Sequence, residues 1–219
     1  MSCALKLFPR GGTSTAARGI ARRDVRRVSS LVFPVDAQGI VRRARQIASP
    51  NCNERPPRTS IVLLVVHNIS LPPNQFGGED ILRLFTNRLD PESHPAYATL
   101  RNLEVSSHFL IRRTGELIQF VPCLQCAWHA GVSRWRGREQ CNAFSIGIEL
   151  EGCDTQVFEE AQYEVLIALA NSLYQAYPIQ AMVGHSDIAP GRKTDPGPCF
   201  DWTRIWSRVP DCPNDGRSG

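Results

Sequence analysis

The run GHSDIAPGRKTDPGP, residues 184–198, holds His185, Lys193 and Asp195 among three prolines. Two imidazoles and one carboxylate make a donor set that suits zinc, with a fourth position left for water. The second imidazole is His67, which closes the apolar run IVLLVVH at 61–67. A histidine at the end of a buried strand stands where α/β sheets open onto a ligand crevice. Either ring alone fits a buried structural role as well. Their company points to a metal, because a proline-braced loop fixes His185 and Asp195 relative to each other.

Four further residue types could act on a substrate beside such an ion. Lys193 precedes Asp195 by two, so in an extended segment both side chains leave on the same side. Its ammonium could stabilise a forming oxyanion, or serve only as surface charge. Glu149 lies in FSIGIEL, 144–150, where alternation sends Ile146, Ile148 and Leu150 one way and Ser145, Gly147 and Glu149 the other. There it could carry a proton from water to a leaving amine. Gly147, with no side chain, is expected to leave space for substrate. Glu151 is a rival on the same face, in what reads as a loop beside Gly152. WHAG, 128–131, sets Trp128 and His129 before a flexible glycine, as a wall for a sugar ring or peptide or as packing.

These residues need a scaffold. IVLLVVH reads as a strand buried on both faces. SSHFLIRR, then TG, then ELIQFV (106–121) reads as a hairpin. Helices are expected over 159–177, stopped by Pro178; over 79–89; and over 201–209 with Asp201 as N-cap. The picture is a mixed central sheet flanked by helices.

Composition narrows the function classes. Residues 1–30 carry seven Lys/Arg against Asp24, or +6; the other 189 residues hold 18 basic and 20 acidic side chains, or −2. A nucleic-acid-binding body is not indicated. No run of 18 or more apolar residues occurs, so no membrane span is expected. The first 30 residues lack the apolar stretch of a secretory signal and read as a disordered basic extension, and 210–219 as a flexible tail. The cytosol is the expected compartment. Eight cysteines without an export signal are expected to be reduced thiols, and the single CxxC at Cys123 and Cys126 lacks the second pair of a structural zinc site.

The segments VVHNISLPP, SSHFLIRRTGELIQFVP, AWHAGVS, FSIGIELEG and GHSDIAPGRKTDPGP, in that order within residues 33–209, resemble the zinc-dependent N-acetylmuramoyl-L-alanine amidases of the AmpD type. The resemblance implies the fold of T7-type lysozyme and peptidoglycan-recognition proteins. It implies Zn2+ on His67, His185 and Asp195, Glu149 as acid/base and Lys193 as companion of the oxyanion. Asn68, Trp128 and His129 would line the substrate groove. The implied reaction cleaves the amide between 1,6-anhydro-N-acetylmuramic acid and L-alanine in small cytosolic muropeptides. That places it in peptidoglycan recycling, with a link to control of β-lactamase induction. Gln140 and Ala143 stand in REQCNAF where the family commonly has arginine and aspartate, and Glu104 stands where it often has arginine. Arginine is the natural clamp for stem-peptide carboxylates, so the preferred stem length is open.

Three rivals are distinguishable. A peptidoglycan-binding module without turnover need not hold stoichiometric metal. An exported autolysin needs a route that residues 1–30 would have to supply. A cysteine hydrolase pairing Cys126 with His129 would need two residues three apart to face each other.

Overall fold

A computed structural model describes residues 31–209; the expected extension over 1–30 and tail over 210–219 lie outside the described residues. In chain order the strands are β1 Arg45–Gln46, β2 Cys52–Glu54, β3 Leu63–Ile69, β4 Phe109–Ile111, β5 Leu117–Gln119, β6 Gln125–Ala127, β7 Arg134–Trp135, β8 Arg138–Glu139, β9 Ser145–Glu151 and β10 Ala181–Gly184. The α-helices are α1 Asp80–Phe85, α2 Glu160–Ala176, α3 His185–Ile188 and α4 Thr203–Trp206.

Six strands form one sheet in the order β1-β5-β4-β9-β3-β10. All neighbours run parallel except the β4–β5 hairpin. β3 and β9 sit at its centre, and their residues are buried along almost their whole length. Leu64, Val66, Ile146, Ile148 and Leu150 pack with Leu166, Leu169 and Leu173 of α2. Burial of a large aliphatic side chain is worth about 1.5–3 kcal/mol, so this helix-on-sheet layer is the main anchor for the strands that carry the site. On the other face, Leu110 and Ile118 pack with Ile81, Leu82 and Phe85 of α1.

The helices start and stop for local reasons. At the start of α2, the Glu159 N–H donates to Gln162 Oε1 at 3.0 Å, satisfying a donor that has no partner within the helix. α1 is shorter than the apolar pattern predicts. Asn87 adopts φ +56°, a left-handed conformation that ends helices, so Leu89 lies beyond it. α4 is likewise one turn; Asp201 precedes it, with Oδ1 accepting the Thr203 N–H at 3.0 Å, although the N-cap position belongs to Trp202.

The six cysteines among the described residues are all free. No helix among the described residues is long and apolar enough to cross a membrane.

Candidate metal centre

Parallel pairing sets the site. Register places His67 of β3 beside Glu149 of β9, and Val65 beside Gly147. Paired residues of parallel strands project to the same face, so the imidazole and the carboxyl share a side. β10 ends at Gly184 and α3 begins at once with His185. The loop then returns, and the Ser186 N–H donates to the Asp195 carbonyl at 3.0 Å, clasping its two ends. Lys193 N–H reaches Ala189 O at 3.1 Å in the turn between them. The segment is a succession of turns and not an extended strand, so the alternation expected for Lys193 and Asp195 does not describe it.

The structure brings His67, His185 and Asp195 together as a possible metal-holding group. Their Nδ1, Nδ1 and Oδ2 atoms are mutually 3.0 Å apart. Both rings are buried, at 2% and 3% exposure. His185 Nε2 lies 3.1 Å from the Ala130 carbonyl, which can only accept, so the ring proton is on Nε2 and a neutral His185 presents a bare Nδ1 to the cluster. Without a cation, Asp195 can draw an N–H from His185 only by making a buried imidazolium. A divalent cation satisfies the three converging atoms at once, so the residues present fit one, and the nitrogen-rich donor set suits zinc.

Electrostatics agree. Burial lowers the His67 pKa from 6.5 to about 4, opposed by its contact with Asp195. Burial alone would raise the Asp195 carboxyl, but contacts with His185 and His67, which can donate to it only when protonated on Nδ1, outweigh it and hold the group well below the usual carboxylate range. Glu149 is 8% exposed and its Oε2 has no hydrogen-bond partner. Burial pushes its pKa well above the ordinary value and the Asp195 charge adds to this, while Lys193 works the other way. Lys193 itself is exposed.

Four expectations change. The space over Gly147 belongs to a side chain and not to substrate: a Cβ there would lie 2.4 Å from His129 Cγ. His129, expected on the groove, is 9% exposed, with Nδ1 2.9 Å from His67 Nε2. It stands behind a triad residue because the glycine lets the ring lie on the sheet. Asn68 is tied inward: its amide donates to Asp154 Oδ1 at 2.7 Å and to Pro196 O at 3.1 Å, bracing the residue after Asp195. Glu151 is the last residue of β9, not part of a loop. It accepts from Arg112 Nη1 at 3.3 Å, Gly77 N–H at 2.6 Å and Arg113 N–H at 3.2 Å. Trp128 remains half-buried, its Nε1 donating to Asn53 Oδ1 at 2.7 Å. Cys126 lies in β6 with its sulfur 3.8 Å from Glu54 O, so its thiol is directed to a backbone carbonyl and not to His129.

Sequence reading missed Asn142, whose Oδ1 accepts the N–H groups of His129 and Ala130 at 3.1 and 2.8 Å. It also missed Arg192, which donates to Ala130 O at 2.8 Å and Val132 O at 2.6 Å. Both act on backbone atoms distant in sequence, which no local pattern announces. Beside this region lies a cavity of about 590 Å³ whose lining includes Val132, Arg134, Gln140, Ile188 and Arg192. Glu104 lines a separate one of about 300 Å³.

Fold and site together define an amidase. Residues 57–198, a span that contains the triad, Glu149 and Lys193, match the N-acetylmuramoyl-L-alanine amidase family, and the chain belongs to it. Within that family it is 56% identical over 170 residues to the 1,6-anhydro-N-acetylmuramyl-L-alanine amidase AmpD of Escherichia coli strain K12, covering 77% of this chain and 93% of the relative. A crystal structure of selenomethionine AmpD aligns with a TM-score of 0.77 at 54% identity, covering 78% of this chain and 97% of the other. The E. coli amidase AmiD, solved with anhydro-N-acetylmuramic acid-L-Ala-D-γ-Glu-L-Lys, aligns with a TM-score of 0.51 at 34% identity, covering 80% and 65%.

Proposed function

We propose that the chain is a zinc-dependent 1,6-anhydro-N-acetylmuramyl-L-alanine amidase acting on small muropeptides in the cytoplasm, in peptidoglycan recycling. The observation that carries this reading is the cluster of Nδ1, Nδ1 and Oδ2 atoms mutually 3.0 Å apart beside an unpartnered buried glutamate. The substrate class rests on 56% identity to an enzyme named for it, across 93% of that relative's length.

His67, His185 and Asp195 would hold the zinc, which supplies polarisation of the scissile carbonyl and acidification of water. Glu149 performs the proton transfer. Its Oε2, free of other partners, takes a proton from the attacking water and returns it to the departing L-alanine nitrogen. Its pKa, raised by burial, favours that duty, because a more basic carboxylate takes a proton from water more readily. The Lys193 ammonium adds positive charge as the carbonyl oxygen becomes anionic. Asn68 holds the Asp195–Pro196 turn in place through Pro196 O. Trp128 offers an indole face to the sugar. Arg134, paired with Glu139, and Arg192, donating to Ala130 O and Val132 O, line the 590 Å³ cavity together with Gln140 and put positive charge where stem-peptide carboxylates would approach.

Hydrolysis assays on anhydro-muropeptide and on intact sacculi, each with and without a chelator, test the reading. Chelator-sensitive release of the peptide from the small substrate, with little from sacculi, is the expected result. Metal-independent turnover would overturn the zinc assignment, and preference for sacculi the substrate class.

A further inference from the structure

His67 Nε2, on the side of the ring away from the triad, begins a hydrogen-bonded chain. It lies 2.9 Å from His129 Nδ1; His129 Nε2 lies 3.1 Å from Ser145 Oγ; and Ser145 Oγ lies 2.6 Å from Cys141 O. The two rings meet edge to face, at 83° and 5.0 Å between centroids. The His129 ring is placed by Asn142 Oδ1, which holds its backbone, and by the bare face of Gly147, on which the ring rests.

The direction of every proton in this chain follows from its last member. A carbonyl oxygen only accepts, and two oxygens 2.6 Å apart need a hydrogen between them, so the Ser145 hydroxyl donates to Cys141 O. With its one proton spent there, Ser145 Oγ accepts from His129 Nε2–H. A neutral His129 protonated on Nε2 has a bare Nδ1, which accepts from His67 Nε2–H. His67 then has no proton on Nδ1, the atom that faces Asp195 and His185.

We propose that Ser145 and His129 are positioning residues that set the tautomer of His67, directing its Nδ1 lone pair at the metal from a backbone carbonyl three hydrogen bonds away. His185 obtains the same result in one step from Ala130 O. The two imidazoles of the triad are thus oriented by independent carbonyls on segments that meet near Asn142. The inference rests on the zinc reading above and adds residues that touch neither metal nor substrate. Oriented ligands of this kind commonly bind metal ten- to a hundredfold more tightly than unsupported ones.

The test uses the whole chain and two readouts apart from turnover. In the metal-free, folded protein at mildly alkaline pH, NMR of the ring nitrogens should find His67 and His129 each protonated on Nε2 and bare on Nδ1. A proton on Nδ1 of either ring overturns the proposal without any substitution. Zinc affinity, by competition with a chromogenic chelator, should fall about ten- to a hundredfold in His129→Phe, which keeps an aromatic ring but has no acceptor. His129→Asn, with a carbonyl oxygen near the old Nδ1, should recover part of the loss, and Ser145→Ala should cost several-fold. Unchanged affinity in a folded His129→Phe would also overturn it. Failure of the parent protein to bind zinc would sink the functional reading instead, and the NMR result would still stand or fall separately.

Discussion

Glu149 and Glu151 are two residues apart on one strand, project to the same face and are both buried, yet the protein treats them in opposite ways. Glu151, 2% exposed, accepts a guanidinium and two backbone N–H groups. Arg112 in turn reaches Gly78 O and Glu79. Every charge there has a partner, so the cluster joins β9 to the β4–β5 hairpin and to the segment leading into α1. Glu149 has an oxygen with no partner and a carboxyl driven by burial, then by Asp195, towards its neutral form. Leaving a buried polar atom unpaired costs about 1–3 kcal/mol. A protein that satisfies one carboxylate completely can satisfy its neighbour; leaving it unsatisfied keeps it available to a reacting molecule.

Substitution at both positions is the strongest way to break that contrast. Glu149→Ala should lower the hydrolysis rate by two to four orders of magnitude, about 3–5 kcal/mol of barrier. Its zinc content and unfolding midpoint should stay at parent values or above. Near-parental turnover would remove Glu149 from the chemistry. Glu151→Ala should do the reverse. Arg112 would lose its one fully buried carboxylate partner while keeping Glu79 and Glu116, and the Gly77 and Arg113 N–H groups would lose their acceptor. The cost should be about 1–3 kcal/mol of stability by urea unfolding, while zinc binding by the folded protein persists.

Acid sharpens the contrast further. Burial lowers His108 to about 3 and His67 to about 4, from an ordinary 6.5. The unfolded chain therefore takes up these protons first. This contribution to stability is complete above 6.5 and drains away as pH falls towards 4 and then 3. The slope is about 1.4 kcal/mol per pH unit per ring. Denaturant titrations of metal-free protein at a series of falling pH values should show it; a flat profile would mean the rings are not held neutral. The smallest effect is expected from Asn68→Ala, which removes one hydrogen bond to Asp154 and one to Pro196 O that braces the Asp195 loop. About 1 kcal/mol of stability and a modest weakening of zinc binding should follow, read by thermal melts and chelator competition.

What the sequence disclosed follows the range of the forces involved. The apolar run into His67, the alternation through Glu149 and the long stripe of α2 are local patterns, and their elements appear with shifts of a few residues. The two-residue alternation even placed Ser145, Gly147 and Glu149 on the working face. What fills the gap at Gly147 comes from a ring 18 residues earlier in the chain, and no spacing rule foretells it. For the same reason His129 and Asn68 were expected to line a groove, whereas their polar atoms are engaged with His67, Asp154 and Pro196. Helix lengths were overestimated where a left-handed asparagine or a single turn intervened, because apolar spacing continues past the point where the backbone leaves the helix.

The clasp between Ser186 N–H and the Asp195 carbonyl has a thermodynamic consequence of its own. It joins the two protein segments that carry His185 and Asp195 by a bond that needs no ion. Metal uptake is then expected to follow folding, unlike in the small zinc domains that assemble only around their ion. Stripping and reloading should be reversible without passage through the denatured chain, so the enzyme could be emptied by a passing chelator and refilled while its architecture waits.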